Sequence, residues 1–263
     1  MFHYTKAVCR VGLQLFWFCF STSRKWAKHL EKYPPELRFS RFQSLSKKMS
    51  DALNVDLVVF GQENLPKDRN YFLVCNHMSA YDPIPVIITV NSPTSFVGKM
   101  ELEKVPLLRT AMKALEIKCI DRDNLRQSLK VMMSVEEELR TGKRNWMIFP
   151  EGTRIRDQLS PLNDFHHGTF RPAQKAKVPI VPVAMYGSFR VLKLKPQFKR
   201  YPIFVTFLKP IMPEDYAKLT TLDLAEMTRA AIQKEITYHL RPLDHKTMME
   251  NKEKAYHHDM IIK

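Results

Sequence analysis

A histidine and an aspartate stand five positions apart in VCNHMSAYDP, residues 74–83. The apolar run before His77 predicts a strand, and Asp82 followed by Pro83 is a typical helix start with the aspartate at the cap. At such a strand-to-helix corner the carboxylate can turn back, hydrogen-bond the imidazole and leave its second nitrogen to accept a proton from a hydroxyl group. The same residues also permit a simpler interpretation, in which Asp82 only caps the helix and His77 lies on the surface.

Residues suited to binding an anion follow three further strand-like runs. The segment NWMIFPEGTR, residues 145–154, is a hydrophobic run that ends in a glycine, Thr153 and Arg154. The glycine permits close approach of a ligand to the backbone, and the hydroxyl and planar guanidinium suit a phosphate. Lys99 and Arg122 each end another such run, and parallel sheets bind ligands beyond the carboxyl ends of their strands. Together these cations would form a phosphate pocket, whereas separately each would be a solvated surface charge.

Short β-branched or aromatic runs alternate with helical patterns from residue 55 onward. The predicted strands are VDLVVF, YFLVCN, SFVGK, KCIDR, NWMIFP, IVPVAMYG and IFVTFLKPI, and the predicted helices span 83–90, 105–115, 124–140, 169–176 and 221–240. Alternation of this kind predicts an α/β domain over residues 55–240, with a mostly parallel central sheet flanked by helices. Residues 241–263 are polar and are predicted to form a solvated C-terminal tail.

Residues 1–54 combine basic and aromatic side chains in two helical patterns separated at Pro34-Pro35. The pattern predicts a pair of basic amphipathic helices at a membrane interface, with aromatics among acyl chains and cations at phosphates. The alternative is a helical hairpin that caps the core of the following domain. The longest apolar run, VGLQLFWFCF, is shorter than the roughly 20 residues that a membrane-spanning helix requires. The aromatic cluster consists of Phe16, Trp17, Phe18 and Phe20.

The composition indicates an anionic partner. The chain carries 42 Lys and Arg against 27 Asp and Glu, a net charge of +15, so its surface should attract a lipid headgroup layer, nucleic acid or an acidic protein. No nucleic-acid-binding motif is recognisable, and the cations near the motifs stand singly at strand ends. The four cysteines form no CxxC pair, which argues against a zinc site or a disulfide framework and favours reduced thiols in a cytoplasmic setting.

Four sequence blocks resemble, in order and approximate spacing, the motif blocks of the 1-acylglycerol-3-phosphate O-acyltransferases, the PlsC-type glycerophospholipid acyltransferases. The resemblance runs from about Val55 to Pro210. The blocks are N-H-x-x-x-x-D at 76–82, G-K-x-E-L at 98–102 with I-D-R at 120–122, F-P-E-G-T-R at 149–154, and V-P-I-V-P-V-A at 178–184.

This resemblance implies an enzyme at a membrane, and the basic helical pair of residues 1–54 is expected to hold it on the cytoplasmic face. It would move a fatty acyl group from an acyl-CoA or acyl carrier protein thioester to the free sn-2 hydroxyl of 1-acyl-sn-glycerol 3-phosphate (lysophosphatidic acid), giving phosphatidic acid. His77 becomes the general base and Asp82 its orienting partner, with no metal and no cofactor. The acceptor site comprises Lys99, Arg122, Glu151, Gly152, Thr153 and Arg154.

Other functions remain open at this stage. The acceptor could instead be glycerol 3-phosphate or another lyso-lipid, or the chain could be a non-catalytic basic protein that binds anionic membrane or nucleic acid. His166 and His167 stand where many members of the family carry basic residues. They are expected to replace those residues in a polar loop rather than to act in catalysis.

Overall fold

A seven-stranded sheet forms the centre of a computed structural model that describes residues 12–13, 17–155, 157–192 and 200–250. The strand order is β1-β7-β6-β2-β5-β3-β4, and β6–β7 is the antiparallel pair, all other neighbours being parallel. The prediction of a mostly parallel sheet is therefore confirmed. The strands are β1 Val55–Phe60, β2 Phe72–Cys75, β3 Thr94–Lys99, β4 Lys118–Ile120, β5 Asn145–Ile148, β6 Ile180–Tyr186 and β7 Tyr201–Phe207.

Helices flank both faces of this sheet. They are α1 Ser23–Lys28, α2 Pro35–Ala52, α3 Pro83–Thr89, α4 Pro106–Ala114, α5 Leu125–Arg140, α6 Arg171–Ala176, α7 Pro213–Tyr216, α8 Thr221–Glu235 and α9 Arg241–Glu250. A π-helical turn, Phe18–Thr22, precedes α1, and a second, Ile236–Leu240, joins α8 to α9. Among the described residues, we find no helix both long enough and apolar enough to cross a membrane.

Strand β2 shows why the central strands are apolar throughout. Phe72 and Val74 point into one core cluster, and Leu73 and Cys75 point into another on the opposite face. All four are fully buried, because helices α5, α6 and α8 cover the first face while α2 and α3 cover the second. Parallel strands buried on both faces show continuous apolar runs rather than alternation.

Four adjacent parallel strands, β2, β5, β3 and β4, end at the same edge of the sheet. His77 follows β2, residues 151–154 follow β5, Lys99 ends β3 and Arg122 follows β4. The topology therefore gathers sequence blocks that are up to 77 residues apart at one edge, where open α/β sheets bind their ligands.

Helix α2 packs on the core of the domain. Phe39 is buried in the same cluster as the α3 residues Val86 and Ile87. The Gln43 side chain donates hydrogen bonds to three carbonyls at the end of α3, those of Ile87, Ile88 and Val90. The apolar face predicted for residues 35–52 thus packs on the core. This corresponds to the alternative in which the N-terminal helices cap the core of the following domain.

The aromatic cluster near the N-terminus is divided between core and surface. Phe18 packs edge-on against Trp26 with ring centroids 5.6 Å apart, and both are buried in a small cluster with Ala111 and Ala114 of α4. Leu13 and Trp17 are 70% and 67% exposed. Among the described residues of the predicted membrane-binding segment, these two are the most exposed large apolar side chains, and Leu37 of α2 is 43% exposed. Residues 1–11 and Phe16 lie outside the described residues.

The prediction of a solvated tail is wrong for residues 241–250, which form helix α9. Asp244 and Met248 of this helix are buried. Asp244 accepts two hydrogen bonds from Arg190, one of them at 3.0 Å, in a fully buried ion pair. The polar composition of α9 does not indicate a buried helix. The ion pair that buries Asp244 was not predictable locally either, because Arg190 lies 54 positions earlier in the chain. The remainder of the predicted tail, 251–263, lies outside the described residues.

Candidate active site

The His77 imidazole and the Asp82 carboxylate are in direct contact. Asp82 Oδ2 accepts hydrogen bonds from His77 Nδ1 at 2.7 Å and from the backbone N–H groups of Met78 and Ser79 at 2.7 and 2.8 Å. The Asp82 side chain stands at the start of α3 without capping it, so the simpler interpretation of this aspartate is wrong. Asp82 is 0% exposed, whereas the His77 side chain is 20% exposed. With Nδ1 engaged by the carboxylate, Nε2 is the nitrogen left to accept a proton.

The backbone of His77 is held by neighbouring segments. Before it, the Asn76 side chain donates to the Met185 carbonyl at 3.0 Å and accepts from the Met185 N–H at 2.8 Å, which attaches the loop to β6. The His77 carbonyl accepts from the Ile155 N–H at 2.9 Å, and the imidazole stacks on the Phe149 ring with centroids 4.4 Å apart. The roles of Asn76 and Phe149 were not predicted from the sequence, although both residues lie within the sequence blocks quoted above.

Glu151 supports the backbone of the loop that carries His77, called the histidine loop below. It is 3% exposed, and its carboxylate accepts the backbone N–H groups of His77 at 2.7 Å and Asn163 at 3.1 Å. Burial raises the pKa of this carboxyl to about 7, although the two backbone donors and His77 oppose the shift; nearby Asp82 adds to it. Both oxygens accept hydrogen bonds from backbone groups, so the position of Glu151 differs from that expected of a residue that binds the acceptor substrate.

Replacing Glu151 by Gln should remove a pH dependence of stability. The folded-state pKa of about 7 lies above the usual 4.5, so the stabilising contribution of this group is fully present below about pH 4.5 and is lost as the pH rises through about 7. The free energy of unfolding of the wild type should therefore fall, relative to that of Glu151→Gln, by on the order of 3 kcal/mol over this interval.

Denaturant unfolding of both proteins at several pH values between 4 and 8 measures this difference. The exposed Glu63 provides a matched control, since Glu63→Gln should track the wild type over the same interval. A difference between wild type and Glu151→Gln that does not vary with pH would contradict the shifted titration.

The remaining predicted acceptor residues form a more exposed group. Gly152 has a φ of 66°, and a Cβ at this position would lie 3.0 Å from His166 Nε2 and 3.7 Å from Arg122 Cζ. The absence of a side chain therefore allows Arg122 and His166 to approach the same backbone position. Thr153 and Arg154 follow and are exposed.

Lys99 is placed differently from the other predicted cations. It lies at the end of β3, and its Nζ is 2.6 Å from Glu101 Oε1 in an exposed ion pair. Among the described contacts, none joins Lys99 to Arg122 or Arg154. An incoming phosphate would have to compete with Glu101 for this cation.

The buried thiol next to this site is not a nucleophile. Cys75 stands two residues before His77 and is fully buried. Burial, together with the charges of Asp82 and Glu151, raises the pKa of the Cys75 thiol well above its usual range. Only the thiolate is an effective nucleophile, so the Cys75 thiol is not suited to that role.

At one strand end of this α/β fold a buried aspartate orients a partly exposed histidine, and the Acyltransferase family model matches residues 56–186, so the chain is an enzyme of the acyltransferase class. The chain is 31% identical over 208 residues to a probable 1-acyl-sn-glycerol-3-phosphate acyltransferase of Mycoplasma pneumoniae, a match that covers 74% of this chain and 76% of that protein. It is 30% identical over 178 residues to the 1-acyl-sn-glycerol-3-phosphate acyltransferase of Saccharomyces cerevisiae, covering 67% of this chain and 58% of that protein. The chain therefore belongs to the PlsC-type 1-acylglycerol-3-phosphate O-acyltransferase family.

A solved structure has the same fold. The 1-acyl-sn-glycerophosphate (LPA) acyltransferase PlsC from Thermotoga maritima superimposes with a TM-score of 0.66 at 24% sequence identity, covering 89% of this chain and 92% of that chain. The comparison extends the agreement in fold to most of the chain, beyond the residues that the family model matches.

Proposed function

We propose that this O-acyltransferase transfers a fatty acyl group from an acyl-CoA or acyl carrier protein thioester to the sn-2 hydroxyl of 1-acyl-sn-glycerol 3-phosphate, giving phosphatidic acid. The observation that carries the proposal is the 2.7 Å contact between Asp82 and His77 Nδ1, at a sheet edge that also presents the exposed Arg122 and Arg154. The names of the two relatives described above support lysophosphatidic acid as the acceptor.

The proposed reaction needs one general base and two substrates, without a metal, a cofactor or a covalent acyl-enzyme. His77 Nε2 accepts the proton of the acceptor hydroxyl while that oxygen attacks the thioester carbonyl carbon. The C–S bond then breaks, and the thiol leaves with the proton that His77 returns. Asp82 stabilises the imidazolium that exists between these two proton transfers and keeps the Nδ1-protonated tautomer.

A panel assay with purified protein tests this function directly. Labelled acyl-CoA and acyl carrier protein thioesters are each offered with lysophosphatidic acid, glycerol 3-phosphate or another lyso-lipid, and the lipid product is identified. We expect phosphatidic acid from lysophosphatidic acid as the main product. Transfer to glycerol 3-phosphate alone would replace the proposed acceptor, and tight DNA binding without any acyl transfer would exclude the enzymatic proposal.

Replacing Arg154 by Ala should mainly weaken the acceptor. We propose that Arg122 and Arg154 bind its phosphate, and a hydrogen bond to a charged group is worth roughly 1.5–3 kcal/mol, so the acceptor KM should rise by about 10- to 150-fold. Initial rates at varied acceptor and donor concentrations measure the two KM values separately. The exposed Arg140 at the end of α5 provides the control, since Arg140→Ala should leave both KM values unchanged. Equal losses for acceptor and donor would instead indicate a structural role for Arg154.

We also propose that the protein works on the cytoplasmic face of a membrane, held there by its N-terminal segment. The exposed Leu13 and Trp17 support this. So do the cations Arg24, Lys104, Arg109 and Lys113, which line an open cavity of about 400 Å³ together with Glu103 and Thr110. Each Lys or Arg near an anionic leaflet contributes about 1 kcal/mol of attraction, and apolar side chains in the interface add attachment that salt does not reverse.

Replacing Leu13 and Trp17 together by Ala should weaken binding to anionic vesicles by about 10-fold or more, because two exposed apolar side chains no longer enter the lipid. Flotation in high salt measures this apolar component separately from the charge. The point substitutions leave α2 in place, which matters because α2 packs on the core. Tyr238→Ala removes an equally exposed aromatic residue elsewhere and should float like the wild type. If the double variant also floats undiminished, the membrane contact lies in another part of the chain.

A further inference from the structure

Asp82 receives hydrogen bonds on both carboxylate oxygens, and the donor to the second oxygen is a serine outside the four sequence blocks. While Oδ2 serves His77 and two backbone groups, Oδ1 accepts from Ser188 Oγ at 2.5 Å. Asp82 and Ser188 are both 0% exposed, so water does not reach this oxygen. A buried carboxylate oxygen needs a donor, and among the described hydrogen bonds Ser188 is the donor that Oδ1 has.

The hydroxyl of Ser188 is held in place by the turn that follows β6. Gly187 in this turn has a φ of 99°, and a Cβ there would lie 2.4 Å from the Pro202 carbonyl oxygen. Three residues after this glycine, the buried Arg190 donates to the same carbonyl at 3.2 Å and forms its ion pair with Asp244 of α9. Contacts with β7 and α9 therefore fix this turn. Helix α9 lies in the segment that was predicted to be a solvated tail.

We infer that Ser188 is a positioning residue for acyl transfer. Its hydroxyl donates to Oδ1 and fixes the plane of the carboxylate, so that Oδ2 stays directed at His77 Nδ1. Its proton serves Asp82 and its side chain is fully buried, so Ser188 is not a nucleophile. The inference rests on the proposed role of His77 as the general base, and it makes the catalytic geometry depend on the turn after β6 as well as on the histidine loop.

Two substitutions separate the hydrogen bond of Ser188 from its volume. Ser188→Ala removes the donor, and Ser188→Cys keeps a similar shape but offers only a weak donor. Both should lower kcat by about 10- to 100-fold, the range expected for a hydrogen bond to a charged group, while both KM values stay within about twofold of wild type. The control is Ser95→Ala, which removes another buried hydroxyl, one that donates to the Leu115 carbonyl and should leave kcat unchanged.

A second measurement does not depend on turnover. In ¹⁵N-histidine NMR spectra of the full chain, His77 should be mainly protonated at Nδ1 in the wild type and in Ser95→Ala, with its signal assigned by its loss in His77→Ala. The Nδ1-protonated population should fall in Ser188→Ala, because the carboxylate that selects this tautomer loses the donor to Oδ1 and keeps only the backbone donors to Oδ2.

The outcomes distinguish this inference from the proposed function. If Ser188→Ala and Ser188→Cys keep kcat within about threefold of Ser95→Ala, or if their losses appear equally in KM, Ser188 is not a positioning residue. An unchanged tautomer in Ser188→Ala overturns the inference as well. If the wild type transfers no acyl group to any acceptor, the proposed function fails, and the NMR comparison still decides whether Ser188 orients the His77–Asp82 pair.

Discussion

His77→Ala should lower the rate of acyl transfer by about 10²- to 10⁴-fold, the usual contribution of a positioned general base. The loss should appear in kcat, because Nε2 takes the substrate proton only as the hydroxyl attacks, whereas binding of both substrates uses other residues. Single-turnover and steady-state rates with lysophosphatidic acid and a labelled thioester provide the measurement.

The fold should survive this substitution, since the imidazole is partly exposed and Asp82 keeps its backbone and Ser188 donors when the imidazole hydrogen bond and the Phe149 contact are lost. His239→Ala is a matched control, because His239 also contacts a carboxylate, Glu235, at 2.6 Å, but in the turn Ile236–Leu240 and in an exposed position. It should retain wild-type turnover. A His77→Ala protein that keeps near-normal turnover would show that another group accepts the proton.

Asp82→Asn should be nearly as severe as His77→Ala. The Asn amide nitrogen is a donor. It would face either the Ser188 hydroxyl or the N–H groups that donate hydrogen bonds to the Asp82 carboxylate in the wild type. The change removes the negative charge that stabilises the imidazolium, and where the amide nitrogen takes the place of Oδ2 it also favours the tautomer in which Nε2 carries the proton. The expected loss of kcat is again about 10²- to 10⁴-fold.

The double variant His77→Ala with Asp82→Asn tests whether the two residues act as a unit. Its kcat should be no lower than that of His77→Ala alone, since an orienting carboxylate has no effect once the imidazole is absent. Glu116→Gln controls for destabilisation, because Glu116 accepts from Arg38 and Arg144 in a separate ion-pair network. Multiplicative losses in the double variant would mean that Asp82 acts independently of His77.

Glu151 and Lys99 show where inference from motifs is weakest. Both belong to sequence blocks that resemblance associates with the acceptor, yet Glu151 is buried under the histidine loop and Lys99 pairs with Glu101. A motif records that residue types recur together; whether a carboxylate faces a substrate or a neighbouring backbone depends on the packing around it. In contrast, Arg122 and Arg154 are exposed at the sheet edge.

The strand and helix order of residues 55–240 was readable from the chain, because runs such as FLVC and IVPVAMY have the continuous apolar character of strands buried on both faces. The contact between His77 and Asp82 was also predictable, since both residues lie at one local strand-to-helix corner. Only the tertiary structure decided which distant groups hold that pair: Glu151, Ser188 and, through Arg190, the buried Asp244 of α9. These contacts join residues 54 to 106 positions apart. Hydrogen bonds over such separations depend on the order in which the strands lie side by side in the sheet and on complete burial. Neither has a local signature in the sequence.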